Sequence, residues 1–108
     1  MPRNFLAPLL AAALAAACGS SWANAEAGKL KARACTVCHG PMGISTLPQA
    51  PNIAGQPEGY LAEQLKAYRS GKRANEMMGL MAKPLSDEDI ADLAAWFASI
   101  KVEVKTTP

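Results

Sequence analysis

"KARACTVCHGPMG", residues 31–43, sets Cys35 and Cys38 with two residues between them and His39, the chain's only histidine, directly after the second. The chain has three cysteines in all, the third being Cys18. Apart from Cys18, every cysteine and histidine of the chain is therefore packed into this one short segment.

Working outward, length comes first. With 108 residues, 50% of them hydrophobic, there is room for one small domain. The start of the chain is not expected to belong to it. Arg3 precedes the apolar run FLAPLLAAALAAAC, residues 5–18, and the small-residue site ANA ends at Ala25. This is the pattern of a secretory signal peptide, so residues 1–25 are expected to be a leader cut between Ala25 and Glu26, leaving 26–108 as the exported domain. The apolar run is short for a membrane span, which makes an uncleaved anchor a minor reading. LAAAC, ending at Cys18, faintly resembles a lipoprotein processing site, but its leucine lies one position too far upstream; a lipid anchor on Cys18 is the lesser alternative. Of 11 Lys and Arg, one is Arg3, and nine Asp and Glu oppose the rest. The exported part is nearly neutral and lacks the basic footprint of a nucleic-acid binder.

Export into an oxidising compartment, the periplasm, makes the two remaining cysteines conspicuous, because cysteines there normally form disulfides. A Cys35–Cys38 bridge would close only a tiny loop and stabilise little. Zinc would want four ligands, and adjacent Cys38 and His39 are cramped for a closed tetrahedron. A thioredoxin-like pair would sit in a strand–helix–strand context, and nothing before Cys35 reads as a strand. The third reading is covalent haem: in C-x-x-C-H both thiols form thioethers with the haem vinyl groups and the histidine becomes the proximal iron ligand. That reading uses every residue of the motif.

A sixth iron ligand must then come from elsewhere, and NEMMGLMAKP offers Met77, Met78 and Met81. A thioether favours Fe(II), raises the potential and closes the site that oxygen activation would need. Methionine also fills core gaps, but three within five residues, beside Gly79 and Pro84 in a stretch too broken for a long helix, exceed that explanation.

Three helices are expected around the cofactor. AGKLKARA, residues 27–34, has a helical pattern that would deliver Cys35, Cys38 and His39 on its last turns. Residues 40–57 are dense in Gly and Pro and read as loop, a length that is reasonable when it wraps a large apolar ligand. A second helix opens near Pro57, turns Leu61, Leu65 and Tyr68 to one face and stops at Gly71. Its Glu58, Glu63 and Lys66 read as a solvated face; Arg69, Lys72 and Arg73 read either so or as partners of a haem propionate. The last helix starts at a capping box, Ser86 with Asp89, and carries the apolar stripe Ile90, Leu93, Phe97 and Ile100 with Trp96 at its edge. The tail VEVKTTP is expected to fray.

Three stretches carry a family resemblance: ACTVCHGPMG, PNIAGQPEGYLAEQLKAYRSGKR and PLSDEDIADLAAWFASI, in that order with the methionine loop between the last two. The chain resembles a class I c-type cytochrome, and more narrowly a single-haem half of the bacterial cytochrome c4 group. The resemblance implies an all-α class I cytochrome c fold, three to four helices around one covalently attached haem c, with the terminal helices crossing near Gly28 and Trp96. It also implies that the Pro51 carbonyl accepts the His39 Nδ1 proton. In similar chains the distal ligand lies seven residues before the leucine of LSDED, which is Met78; Met77 and then Met81 follow as alternatives.

The implied function is single-electron transfer between transient redox partner proteins, a membrane-bound oxidase or dehydrogenase among them, with no enzymatic turnover, small-molecule substrate or nucleic acid. The motif leaves no second histidine for distal acid–base work. The competing readings are a haem subunit of a larger oxidoreductase and an open-site sensor or peroxidase-like protein in which no methionine binds iron.

Overall fold

The structure is a computed structural model that describes residues 1–2 and 22–108. Arg3, the apolar run and Cys18 lie outside the described residues. Among the described residues the architecture is helical, with no strand: α1 Ala25–Lys31, a 3-10 turn Ala32–Ala34, α2 Thr36–His39, α3 Glu58–Ser70, α4 Glu76–Ala82 and α5 Asp87–Ser99. None of these helices is long and apolar enough to cross a membrane.

The capping box at α5 forms as the sequence requires. Ser86 accepts from the Asp89 N–H at 3.0 Å, and the Asp89 carboxylate accepts from the Ser86 N–H at 3.0 Å. From that start, Ile90, Leu93 and Phe97 fall on one face and are buried. Each contributes roughly 1.5–3 kcal/mol by leaving water. Leu93 and Phe97 form one cluster with Ala94, Leu61 of α3 and Ala32, with Leu65, Trp96 and Ile100 packed at its margin. Pro57 precedes α3 and Gly71, at φ 82°, ends it in the left-handed conformation that only glycine adopts without strain.

Helix α1 crosses α5 at Gly28. A methyl group there would overlap the Asp92 carbonyl oxygen and crowd the Trp96 Cβ, so the crossing requires glycine. The contact also buries Asp92, which is only 3% exposed. A buried carboxylate is tolerated when it is paired and hydrogen-bonded. Lys31 reaches it at 2.7 Å and the Asn24 backbone N–H donates to it at 2.8 Å. Those two donors, Lys31 first, hold the Asp92 carboxyl below the usual carboxylate range. Lys31 also contacts Asp89 at 2.9 Å, so one ammonium ties α1 to two turns of α5.

Two local features differ from the sequence expectation. The first helix starts earlier, at Ala25, because the Asn24 side chain caps it by accepting from the Ala27 N–H at 3.1 Å; it then tightens into a 3-10 turn before Cys35. The methionine stretch folds as the short helix α4, capped by Asn75, whose side chain accepts from the Met78 N–H at 2.9 Å. The tail from residue 101 is exposed and without regular structure.

Candidate functional site

Helix α2 is a single turn, and its shape follows from the motif. Cys35 precedes it, Cys38 lies one turn on, and the His39 N–H donates to the Cys35 carbonyl at 2.9 Å. Cysteines three apart on a helical turn project to one side, so both thiols can meet one planar partner. Both are free thiols, half-buried rather than bridged to each other. Burial pushes the Cys35 thiol above its ordinary range.

The chain ends α2 at Gly40, φ 82°, where any Cβ would collide with the Ile44 carbonyl. That turn sends the loop of residues 40–57 back over the histidine. His39 is buried, 8% exposed, and its Nδ1 lies 2.8 Å from the Pro51 carbonyl oxygen. A carbonyl can only accept, so Nδ1 carries the proton and Nε2 keeps a free lone pair. An imidazole held this way, with two thiols beside it, fits the donor set of a covalently attached haem: Cys35 and Cys38 would carry the thioethers, and His39 would offer Nε2 to the iron. Among the described residues, no three His, Cys, Asp or Glu side chains converge to hold a bare metal ion.

The methionines separate by helix face. Met77 and Met81, four residues apart, are 59% and 38% exposed, whereas Met78 is half-buried and shares its face with the fully buried Ala82. Of the three cations whose role the sequence left open, two have structural partners. Arg69 donates to the Leu85 carbonyl at 3.0 Å and to Asp87 at 2.6 Å, fastening α3 to the start of α5. Arg73 donates to Gln64 at 2.9 Å and stacks on Tyr68. Around the motif, Val37, Met42 and Ile44 remain exposed, Val37 by 80%. Sequence reasoning missed Asp92, Ser45 and Asn52. Asp92 looks like one more acid following the acidic first turn of α5, and only the fold brings Lys31 to it.

The cytochrome c family model matches residues 25–101. Cytochrome c4 of Pseudomonas aeruginosa is 49% identical over 82 residues, 75% of this chain and 40% of that protein. Cytochrome c-554(548) of Halomonas halodenitrificans is 46% identical over 79 residues, 70% of this chain and 95% of that protein. A thiosulfate dehydrogenase electron acceptor of Thiomonas intermedia is 40% identical over 108 residues, 98% of this chain and 48% of that protein. The crystal structure of reduced cytochrome c4 from Pseudomonas stutzeri superposes with TM-score 0.70 at 41% identity, covering 75% of this chain and 47% of that one. The chain thus spans about half the length of the cytochrome c4 relatives it matches. It belongs to the cytochrome c family, as a class I c-type cytochrome of the c4 group that carries covalently bound haem c.

Proposed function

We propose that this electron-carrying cytochrome works in the periplasm, with Cys35 and Cys38 as the haem thioethers, His39 as proximal and Met78 as distal iron ligand, and Pro51 orienting the histidine. The haem supplies a one-electron Fe(III)/Fe(II) couple. The observation that carries the reading is the 2.8 Å contact from His39 Nδ1 to the Pro51 carbonyl, which leaves Nε2 as the free donor. That contact also raises the basicity of the ring and fixes its plane. Met78 would supply the second protein ligand to the iron and leave it no position for a substrate, so the chain's task would be to pass electrons.

Partners dock on such carriers through small, transient interfaces. The exposed apolar residues Val37, Met42 and Ile44 beside the motif suit that contact. Changing all three to glutamate is expected to slow electron exchange with a redox partner about tenfold or more, a loss of roughly 1.4 kcal/mol, with the absorption spectrum unmoved. A changed spectrum would show that these residues serve the haem pocket instead. One relative's name makes it an electron acceptor for thiosulfate dehydrogenase. A dehydrogenase of that kind is therefore a reasonable donor, and stable co-purification with one would favour the subunit reading over the free carrier.

Export rests on the leader pattern, and Asn24 bears on where the leader is cut. A cut after Ala25 removes both the Asn24 cap of α1 and the donor to Asp92 Oδ1. A cut after Ala23, at the small-residue site Ser21-Trp22-Ala23, keeps them and puts the new α-ammonium 2.8 Å from that carboxylate. N-terminal sequencing of the exported holoprotein decides between the two: a first residue of Glu26 is expected from the A-x-A site that ends at Ala25, and a first residue of Asn24 would move the cut to Ala23.

A further inference from the structure

The loop that carries the Pro51 carbonyl has almost no secondary structure of its own, and two side chains tie it to the histidine's own backbone. The Ser45 Oγ–H donates to the Cys38 carbonyl at 2.9 Å. The Ser45 backbone N–H donates to Asn52 Oδ1 at 2.7 Å. Asn52 follows Pro51, whose carbonyl accepts from His39 Nδ1 at 2.8 Å. His39 follows Cys38, so the ring of contacts closes on itself: Cys38 carbonyl, Ser45, Asn52, Pro51 carbonyl, His39. The Leu47 N–H donates to Ser45 Oγ at 3.0 Å and holds the hydroxyl in place, with the Leu47 carbonyl 3.1 Å away as a second acceptor.

We infer that Ser45 and Asn52 are positioning residues that set the reduction potential by holding the Pro51 carbonyl against His39 Nδ1. The Pro51 carbonyl belongs to the peptide that leads into Asn52, so the torsion of that peptide depends on where the Asn52 side chain is held. Backbone bonds begin just beyond this peptide: the Ile53 and Ala54 N–H groups both donate to the Gly43 carbonyl, at 2.8 and 3.1 Å. Those bonds anchor the chain beyond Asn52 and leave the Pro51–Asn52 peptide free to rotate unless the side-chain circuit stops it. A firm hydrogen bond at Nδ1 puts more electron density on the ring, which favours Fe(III) and lowers the potential. A loosened one raises it.

The inference rests on His39 being the proximal ligand, and the test keeps the two apart. Potentiometric titration of the holoprotein carrying Asn52→Ala or Ser45→Ala is expected to show about a threefold shift toward Fe(II) at fixed ambient potential, a rise of roughly 30 mV at about 59 mV per tenfold. The double variant is expected to shift no further than either single one, because both break the same circuit. Ser45→Thr, which keeps the hydroxyl, restores the potential. Exchange of the His39 Nδ1 proton, followed by NMR, quickens in the same two alanine variants. Unchanged potentials in both, or fully additive shifts, would overturn the inference while leaving the haem spectrum normal; a failed ligand assignment would instead alter the spectrum of His39 variants differently from that of a six-coordinate haem.

Discussion

Replacing Cys35 and Cys38 together by alanine is expected to yield a chain with no cooperative thermal transition. The reason lies in how little the polypeptide buries for itself. Among the described residues the buried hydrophobic ones are Ala32, Leu61, Ala82, Ile90, Leu93, Ala94 and Phe97, and three of these seven are alanines. Natural domains hold only about 5–15 kcal/mol of net stability. Chains of this size bury too small a fraction of their surface to reach that margin comfortably without a staple, metal or large ligand. A ligand tied through two covalent bonds cannot dissociate, so its contacts count fully toward the folded state. Circular dichroism during heating, run on the variant beside the holoprotein, decides this: a flat, non-cooperative trace is expected, and a sharp transition without haem would show that the helices stand alone. Single replacements are expected to retain haem on one thioether and to fall between the two.

The second large effect falls on the methionines. Met78→Ala is expected to remove the weak red-end band of methionine-to-Fe(III) bonding and to lower the potential by on the order of 100 mV, within the ~0.8 V that axial ligation spans. Met77→Ala and Met81→Ala are expected to leave both unchanged. The helix explains the difference. In α4, residues four apart share a face, so Met78 lies with the buried Ala82 while Met77 and Met81 lie together on the exposed side. The Asn75 cap fixes the first turn of α4 through the Met78 N–H, which limits how the three could exchange places. Loss of the band in the Met77 or Met81 variant would move the assignment to that residue.

Much of this arrangement could be read before any coordinates. The C-x-x-C-H segment, the Ser86–Asp89 capping box and the stop at Gly71 are local devices, complete within four or five residues, and each forms as its chemistry demands. The crossing at Gly28 and Trp96 and the Pro51 acceptor followed from family resemblance, and both contacts are present. What local reading missed was mostly long-range. Asp92 is buried because Lys31, 61 residues away, arrives beside it, and no sequence period announces such a pair. The Ser45–Asn52 circuit spans a loop whose Gly and Pro content signals only irregularity. Helix α4 was missed for another reason: Gly79 and Pro84 read as breakers, yet Gly79 is tolerated inside a short helix at a cost of about 1 kcal/mol relative to alanine, and Pro84 lies beyond its end. Asn75 directly before Glu76 was the available signal, a cap residue followed by an acid.

His39 and a methionine are the residues proposed to hold the iron. An absorption spectrum of the purified holoprotein in both redox states tests that ligation most directly. The oxidised form should show the weak red-end band of methionine ligation, lost on reduction, with the spectrum of a six-coordinate low-spin haem throughout. A five-coordinate, high-spin oxidised spectrum without that band would contradict it and make the site an open one.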